Sequence, residues 1–386
     1  MSVAVRDSEH GTRSLAELET PCLLLDIDRL ERNCQRMLAR ADALGVRLRP
    51  HLKTAKSVEV ARRATGGGRG GITVSTLKEA DYFAGDGYSD IVCATGIVPA
   101  KLAHAARIAR TCDLVLVTDA PDVVREAARF AGANDCSFSF LVEIDCGEHR
   151  SGLPAKAAAV VELARTIHAS PRLKFRGVLT HAGHSYGTND PGEVARIAAI
   201  ERDAAVTTAA MIRGAGVPCE IVSVGSTPTV LHAEHLDGVT EARAGIYMLW
   251  DLAQLSRNMC REDEIAVSVL ASVIGHNRQG RALILDAGAL ALSKDIGANK
   301  YLPGVGYGYV CDAHSLARLG PLAVDVVHQE HGTVAVDDEA WFERLPVGSL
   351  VRILPNHACL TCAGYDVYQV MRNAVVVDRW ARVNGW

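Results

Sequence analysis

Between residues 45 and 250, brief β-branched runs alternate with longer Ala-rich amphipathic segments, and the runs number eight: VRLRP, GITVST, DIVCA, DLVLVT, FSFLVEID, FRGVLTH, EIVSVG and VTEARAGIY. Helical patterns lie between them, among them SVEVARRATG, TLKEADYFAGDG, APDVVREAARFAG, KAAAVVELARTIHAS and PGEVARIAAIERDAAVTTAAMIRGAG. Pro or Asp opens these helices and Gly-rich ends close them. Parallel neighbours need a long, usually helical crossover, so eight such alternations predict an α/β chain built on a (β/α)8 TIM barrel. A doubly wound open sheet is the structural alternative.

After about residue 260 the pattern changes. IAVSVLASVIG, RALILDAG, LAVDVVH, SLVRILP, DVYQVM and AVVVDRW are short strands separated by turn residues, without long helices between them. The expected organisation is a loose tail over 1–18, a barrel over 19–260 and a mainly antiparallel β-domain over 261–386, with the first apolar run, CLLLDI, able to join the β-domain. The 386 residues are 48% hydrophobic and 22% charged, which excludes a mainly disordered chain. Lys and Arg number 41 against 45 Asp and Glu, a net charge of -4 that offers no field for nucleic acid. No apolar run approaches the roughly 20 residues of a membrane span, and the polar start lacks a signal-peptide core. Eleven cysteines, an odd number, are scattered, several inside apolar runs as at Cys22, Cys93 and Cys219. Such thiols behave as small hydrophobes in a reducing compartment, so a cytoplasmic location is expected, with no membrane or nucleic-acid partner.

In an α/β barrel the reacting groups project from the carboxyl ends of the strands. The residues just past each run are His51 and Lys53, then Thr76, then Glu143, Asp145, His149 and Arg150, then His181 to Tyr186, then Gly225, Ser226 and Thr227, and last Gly245 and Tyr247. Lys53, in RPHLKTAKS, sits where a strand hands over to a helix; desolvated in a barrel mouth, it would suit a Schiff base. A solvated lysine at a helix start is the plainer reading, and Lys56 matches that better. SVGSTPT combines a glycine for close backbone approach, two hydroxyls and a proline at a helix start. That is either a phosphate cup or a capped turn.

PNHACLTC follows the strand SLVRILP. Residues two apart on an extended segment share a face, so His357 and Cys359 could converge on one ion, with Cys362 as a third candidate. Two protein ligands leave positions open for substrate. Glu330 and His331 in QEHG suggest a buried supporting pair, Asp286 a strand-end turn, and Trp250 and Tyr309 ordinary packing.

Taken together, RPHLKTAKS, GITVSTLKEA, EIDCGEHRSG, LTHAGHSY, VSVGSTPT, LDGVTEARAGIY, GYGYVCD, QEHG and LPNHAC resemble the D-serine dehydratase and D-threo-3-hydroxyaspartate dehydratase family. These are alanine-racemase-like pyridoxal-phosphate enzymes, related to the D-threonine aldolases, and the resemblance runs nearly end to end. It implies that Lys53 carries pyridoxal 5'-phosphate, that Arg150 lies near its phenolic oxygen and Tyr186 at its pyridine nitrogen, and that Gly225, Ser226, Thr227, Gly245 and Tyr247 cradle its phosphate. It also implies that His357 and Cys359 bind Zn2+, with Cys362 outside the pair. In the related aldolases the second ligand resembles an aspartate, whereas a thiolate favours zinc. The implied activity is elimination of water from D-serine, D-threonine or D-threo-3-hydroxyaspartate to give a 2-oxo acid and ammonia, in a homodimer. A D-threonine-type aldolase is the runner-up; a racemase or a non-catalytic cofactor-binding protein would leave the metal pair unexplained.

Overall fold

The computed structural model describes residues 12–386. The chain divides into two compact units: one is Cys34–Tyr247 with the last two residues, and the other joins the segment up to Asn33 to Met248–Asn384. The divisions fall inside the helix Ile27–Ala43 and after Tyr247, upstream of the change in sequence pattern near 260. The stretch from Met248 onward carries buried Leu249, Trp250 and Leu252, whose apolar side chains belong with the second unit although they form no strand.

Eight parallel strands build the first unit: Arg47–Leu48, Ile72–Val74, Asp90–Gly96, Asp113–Thr118, Phe138–Asp145, Leu173–Leu179, Ile221–Val224 and Glu241–Ala242. Each pairs with its sequence neighbour from Ile72–Val74 onward, and Glu241 pairs with both Ser223 and Arg47. A parallel bridge between His51 and Thr73 completes the circuit, with Leu52 N donating to Thr73 O and Thr73 N to Pro50 O, both at 2.8 Å. The expected barrel is therefore present, and the open-sheet alternative is excluded by that bridge. A two-residue strand, Leu153–Pro154, branches from Phe138–Asp145.

The strands are buried as near-continuous runs because helices cover the outer face while side chains fill the inside. Val92, Val115, Val117, Leu141, Leu179 and Ile221 form one core cluster. At the strand starts the filling is ionic: buried Arg49 donates to Glu241 Oε2 at 2.8 Å and to both carboxylate oxygens of Asp90 at 2.7 and 2.9 Å. That satisfied cluster occupies the amino end and leaves the carboxyl end for chemistry.

The second unit holds a ten-stranded, mainly antiparallel system. Cys22–Asp26 lies antiparallel to Val267–Asn277 and parallel to Val367–Arg372, so the first apolar run is a strand of this unit. The expected loose tail is ordered where it is described: Arg13 N donates to Val376 O at 3.0 Å, and Leu15 is buried with Leu24 and Leu270. Leu15 escapes a pattern-based reading because Leu15 and Leu18 make only one i, i+3 pair in a polar stretch, too short to establish a period. Residues 1–11 of that segment lie outside the described residues. Among the described residues, no helix is long and apolar enough to cross a membrane.

Candidate active site

The first barrel strand hands over to a turn before any helix begins. The helix Val58–Ala64 starts after Ser57, which places Lys53 on the turn and not at a helix start. Its side chain is exposed, contrary to the desolvated amine expected from its position. Two barrel histidines feel its charge, His51 and His181. Lys56, by contrast, is taken up in an ion pair with buried Glu79 at 2.9 Å.

His181 follows the strand Leu173–Leu179, and its Nδ1 lies 2.8 Å from the Gly225 carbonyl oxygen. A carbonyl can only accept, so the proton sits on Nδ1 and Nε2 is left as an acceptor. Burial drives its pKa to about 3 against the pull of that carbonyl, and Arg243, Lys53 and Arg150 push the same way as burial. His51 is lowered by burial, Lys53, Arg243 and His181. Two neutral imidazoles thus share the barrel end with three cations. Arg150 is exposed on a loop after Phe138–Asp145 and faces Glu148 at 3.6 Å. Asp145 anchors that loop by accepting from Gly147 N at 2.8 Å and His149 N at 3.1 Å. Tyr186 lies half-buried on the short turn Gly183–Gly187.

Gly225 has φ +129°, and a Cβ there would lie 2.4 Å from the Arg243 carbonyl oxygen; at Gly245 a Cβ would lie 2.6 Å from that of His51. The seventh, eighth and first strands therefore approach one another at their carboxyl ends more closely than any side chain permits. Ser226 caps the helix Thr227–His232, its Oγ 2.9 Å from Ser185 Oγ, and Thr227 Oγ1 accepts from Gly245 N at 3.2 Å. SVGSTPT is a capped turn: Thr229 N donates to Ser226 Oγ at 3.3 Å and Pro228 has no N–H, so of the first-turn groups the Thr227 N–H is the one the cup reading can use. The Tyr247 side chain is buried with its hydroxyl unpartnered, and the titratable group acting on it is Cys34. Any role of Tyr247 toward an anion falls to its backbone.

Two residues that hold this end together were not among the candidates named from the sequence. Glu201 lies on the apolar face of the helix Pro191–Gly214, among Ile197, Ala198, Ala204 and Ala205. Its Oε1 accepts from Ala182 N at 2.8 Å and from Gly225 N at 3.0 Å, joining the loops after the sixth and seventh strands. Arg243 is buried inside EARAGIY and donates to Ser223 Oγ at 2.6 Å and Thr180 O at 2.5 Å. A charged residue breaking an apolar helical stripe, or placed inside a barrel strand, is the signal that marks each. Of the other candidates, Thr76 caps its helix and Glu143 accepts from Ser151 Oγ at 2.9 Å.

In the second unit the strand Leu350–Pro355 ends before the expected pair. His357 keeps an extended backbone as N-cap, and Cys359 already belongs to the helix Ala358–Ala363. The two side chains still converge within hydrogen-bonding reach, through a cap and not through strand alternation. Asp295 Oδ2 lies 2.7 Å from His357 Nδ1 and its Oδ1 accepts from Gly297 N at 2.7 Å. Asp251, fully buried, accepts from Ala358 N at 2.9 Å and Gln254 N at 2.8 Å. Burial lowers the imidazole pKa, but Asp295, Cys359 and Asp251 outweigh it and carry the group to about 11. Such an anionic surround favours a cation. Among the described residues, no three His, Cys, Asp or Glu side chains are gathered for a metal ion. Cys362 is fully buried, its thiol pushed up by burial to about 12.

Glu330 and His331 are exposed and form no buried pair; Glu330 accepts from Gln329 at 3.2 Å. They lie on the turn before the strand Gly332–Ala335, where nothing covers them. Asp286 ends the strand Ala282–Leu285 and accepts from Ser272 N at 2.8 Å, while Trp250 is buried and Arg318 lies over the Tyr309 ring at 3.7 Å.

Residues 25–252 match the alanine racemase N-terminal domain and 266–371 the putative serine dehydratase domain. The chain is 42% identical to the D-threo-3-hydroxyaspartate dehydratase of Delftia sp. strain HT23 over 97% of its own length and 99% of that protein's. It is 31% identical to the D-serine dehydratase of Dictyostelium discoideum, over 92% and 94% of the two chains. It is also 31% identical to the 3-hydroxy-D-aspartate aldolase of Paracoccus denitrificans, over 95% and 92%. The solved Delftia dehydratase superposes with a TM-score of 0.93, covering 97% of this chain and 100% of that one. A histidine-to-alanine variant of that enzyme and a cysteine-to-alanine variant in the metal-free form give the same score. The chain belongs to the fold-type III pyridoxal-phosphate lyases, in the family of the D-threo-3-hydroxyaspartate and D-serine dehydratases.

Proposed function

We propose that the protein is a pyridoxal-phosphate- and zinc-dependent dehydratase that removes water from a D-β-hydroxy-α-amino acid, yielding a 2-oxo acid and ammonia. D-threo-3-hydroxyaspartate is the first substrate to test, with D-serine and D-threonine beside it. The observation that carries the reading is the convergence of the His357 imidazole and the Cys359 thiol, backed by Asp295, in a chain of this lyase family.

The barrel end fits a phosphorylated, anionic cofactor on three counts. Lys53, Arg150 and Arg243 act on neutral His181, the backbones at Gly225 and Gly245 admit no side chain, and the Ser226 and Thr227 hydroxyls lie beside that close approach. Lys53 would carry pyridoxal phosphate, Arg150 would face its phenolic oxygen, and Tyr186 its pyridine nitrogen. Gly225, Ser226, Thr227, Gly245 and the Tyr247 backbone would hold the phosphate. When bound, the cofactor supplies an electron sink for charge developing at Cα, and the metal a Lewis acid toward the β-hydroxyl. Lys53 Nζ takes the α-proton, which its exposed turn leaves free to swing. The His181 Nδ1–H bond to Gly225 keeps that imidazole oriented, while burial and the neighbouring cations keep it unprotonated against that carbonyl's pull, so it adds no competing cation. Asp295 fixes His357 as the Nδ1–H tautomer and turns Nε2 outward, the arrangement in which a ligating histidine is held. A thiolate as second donor suits zinc. The two solved variants of the Delftia enzyme alter a histidine and a cysteine two positions apart, the spacing of His357 and Cys359.

Aldol cleavage is the second reading, favoured by the Paracoccus relative. Products separate them: ammonia and a 2-oxo acid, or glycine and an aldehyde. The deciding experiment assays both product sets from the 3-hydroxyaspartate isomers, D-serine and both D-threonine diastereomers. Ammonia release that disappears in Lys53→Ala is the expected result; glycine without ammonia would replace the dehydratase by the aldolase. No disulfide joins any of the eleven cysteines, which supports a cytoplasmic location, and the family likeness supports a homodimer, to be measured by sedimentation.

A further inference from the structure

The second unit contains a small polar cavity of about 190 Å³, lined in part by Asp26, Asp28, Arg29, Arg32, His314 and Arg352. None of these residues belongs to the site described above. Asp26 is already neutralised: Arg29 Nε lies 3.3 Å from its Oδ2 and Arg29 N donates to its Oδ1 at 2.9 Å. Asp28 pairs with Arg372 at 3.1 Å. Arg352 is different. It is 4% exposed, and its Nε donates to Ser268 Oγ at 2.9 Å, but among the described residues no carboxylate pairs with its guanidinium. Burial and the neighbouring Arg29 charge lower its pKa to about 10, outweighing the carboxylates of Asp26 and Asp312. Arg32, exposed at the same cavity, also makes no ion pair among the described residues. Neither guanidinium is thus held in an ion pair among the described residues, although the Asp26 and Asp312 carboxylates act on Arg352 from nearby.

A buried guanidinium with no carboxylate in direct contact is expensive, and its planar fork matches a carboxylate or phosphate group. A cavity of about 190 Å³ holds a single oxyanion with a few waters but is smaller than the roughly 300 Å³ at which pockets for drug-sized ligands begin.

We propose that this cavity binds one small oxyanion, a phosphate or carboxylate group, with Arg352 as its buried donor and Arg32 at the mouth. The site is independent of the dehydratase reading. The test uses the cofactor-loaded enzyme in phosphate-free, low-salt buffer, titrated with inorganic phosphate, with succinate, or with sodium chloride at matched ionic strength, following the thermal midpoint. Phosphate or succinate should raise the midpoint saturably and chloride should not. Whichever of the two acts at lower concentration identifies the group as phosphate or carboxylate. Arg352→Met should melt higher than the wild type without oxyanion and lose the saturable rise. Arg32→Ala, a change at an exposed position, should fold normally and raise the half-saturating concentration about fivefold, as expected for losing one charge-assisted contact at the surface. A saturable rise that survives in Arg352→Met, or an equal effect of chloride, overturns the proposal. Should Arg352→Met not fold, an unchanged half-saturation in Arg32→Ala does so.

Discussion

His181 shows how a single side chain reports on its surroundings. Its ordinary pKa is near 6.5, and burial among Arg243, Lys53 and Arg150 takes it to about 3. Below pH 6.5 the unfolded chain therefore binds a proton that the folded chain refuses until about pH 3, and stability present above 6.5 drains away as the pH falls between those values. His51 is lowered in the same direction. His181→Gln should flatten the acid limb of the stability curve by up to about 1.4 kcal/mol per pH unit, leaving the contribution of His51. Urea midpoints at pH 6 and pH 5 check this; identical slopes in variant and wild type would count against a neutral buried His181. At this scale the candidates Lys53, Arg150, His357 and Cys359 come from short motifs. Asp295 and Asp251 were not: each lies far along the chain from Ala358 or His357, and no local pattern brings them together.

Among the elements, the loop Gly225–Thr227 carries the tightest constraint. A Cβ at residue 225 would strike the Arg243 backbone, not a movable side chain, and would be held at positive φ. Gly225→Ala is expected to cost about 2 kcal/mol or more and to weaken pyridoxal-phosphate binding, because the loop must retreat from Arg243. Denaturant unfolding and cofactor titration on the purified variant measure the two effects; unchanged values in both would remove the close approach from the argument. Barrel strands and helices were readable because periods of 2 and 3.6 are local properties. The pair at His357 and Cys359 was found for a partly mistaken reason: it converges because His357 is extended and Cys359 helical, not because both are extended. Where a strand ends at Pro355 and a helix begins three residues later, sequence periodicity has too few residues to register the change.

For the whole molecule, the metal reading predicts a coupling between stability and chemistry. An ion held only by the folded chain stabilises it by about 2.7 kcal/mol when free metal is a hundredfold above its dissociation constant. Chelation, confirmed by elemental analysis, should therefore lower the thermal midpoint and ammonia release together, and added zinc should restore both. Full activity in metal-free protein would leave His357 and Cys359 without a catalytic part. What the amino-acid order determined by itself is the eight-fold alternation, the β-rich C-terminal part and the motifs at strand ends, all of which depend on neighbours a few residues apart. Tertiary structure alone decided that the N-terminal strand Cys22–Asp26 joins the β-unit, that Glu201 binds two loops, and that Arg352 is buried with no direct ion pair among the described residues. Each of those depends on which distant segment supplies the hydrogen bond or counter-charge, and burial makes that choice energetically consequential.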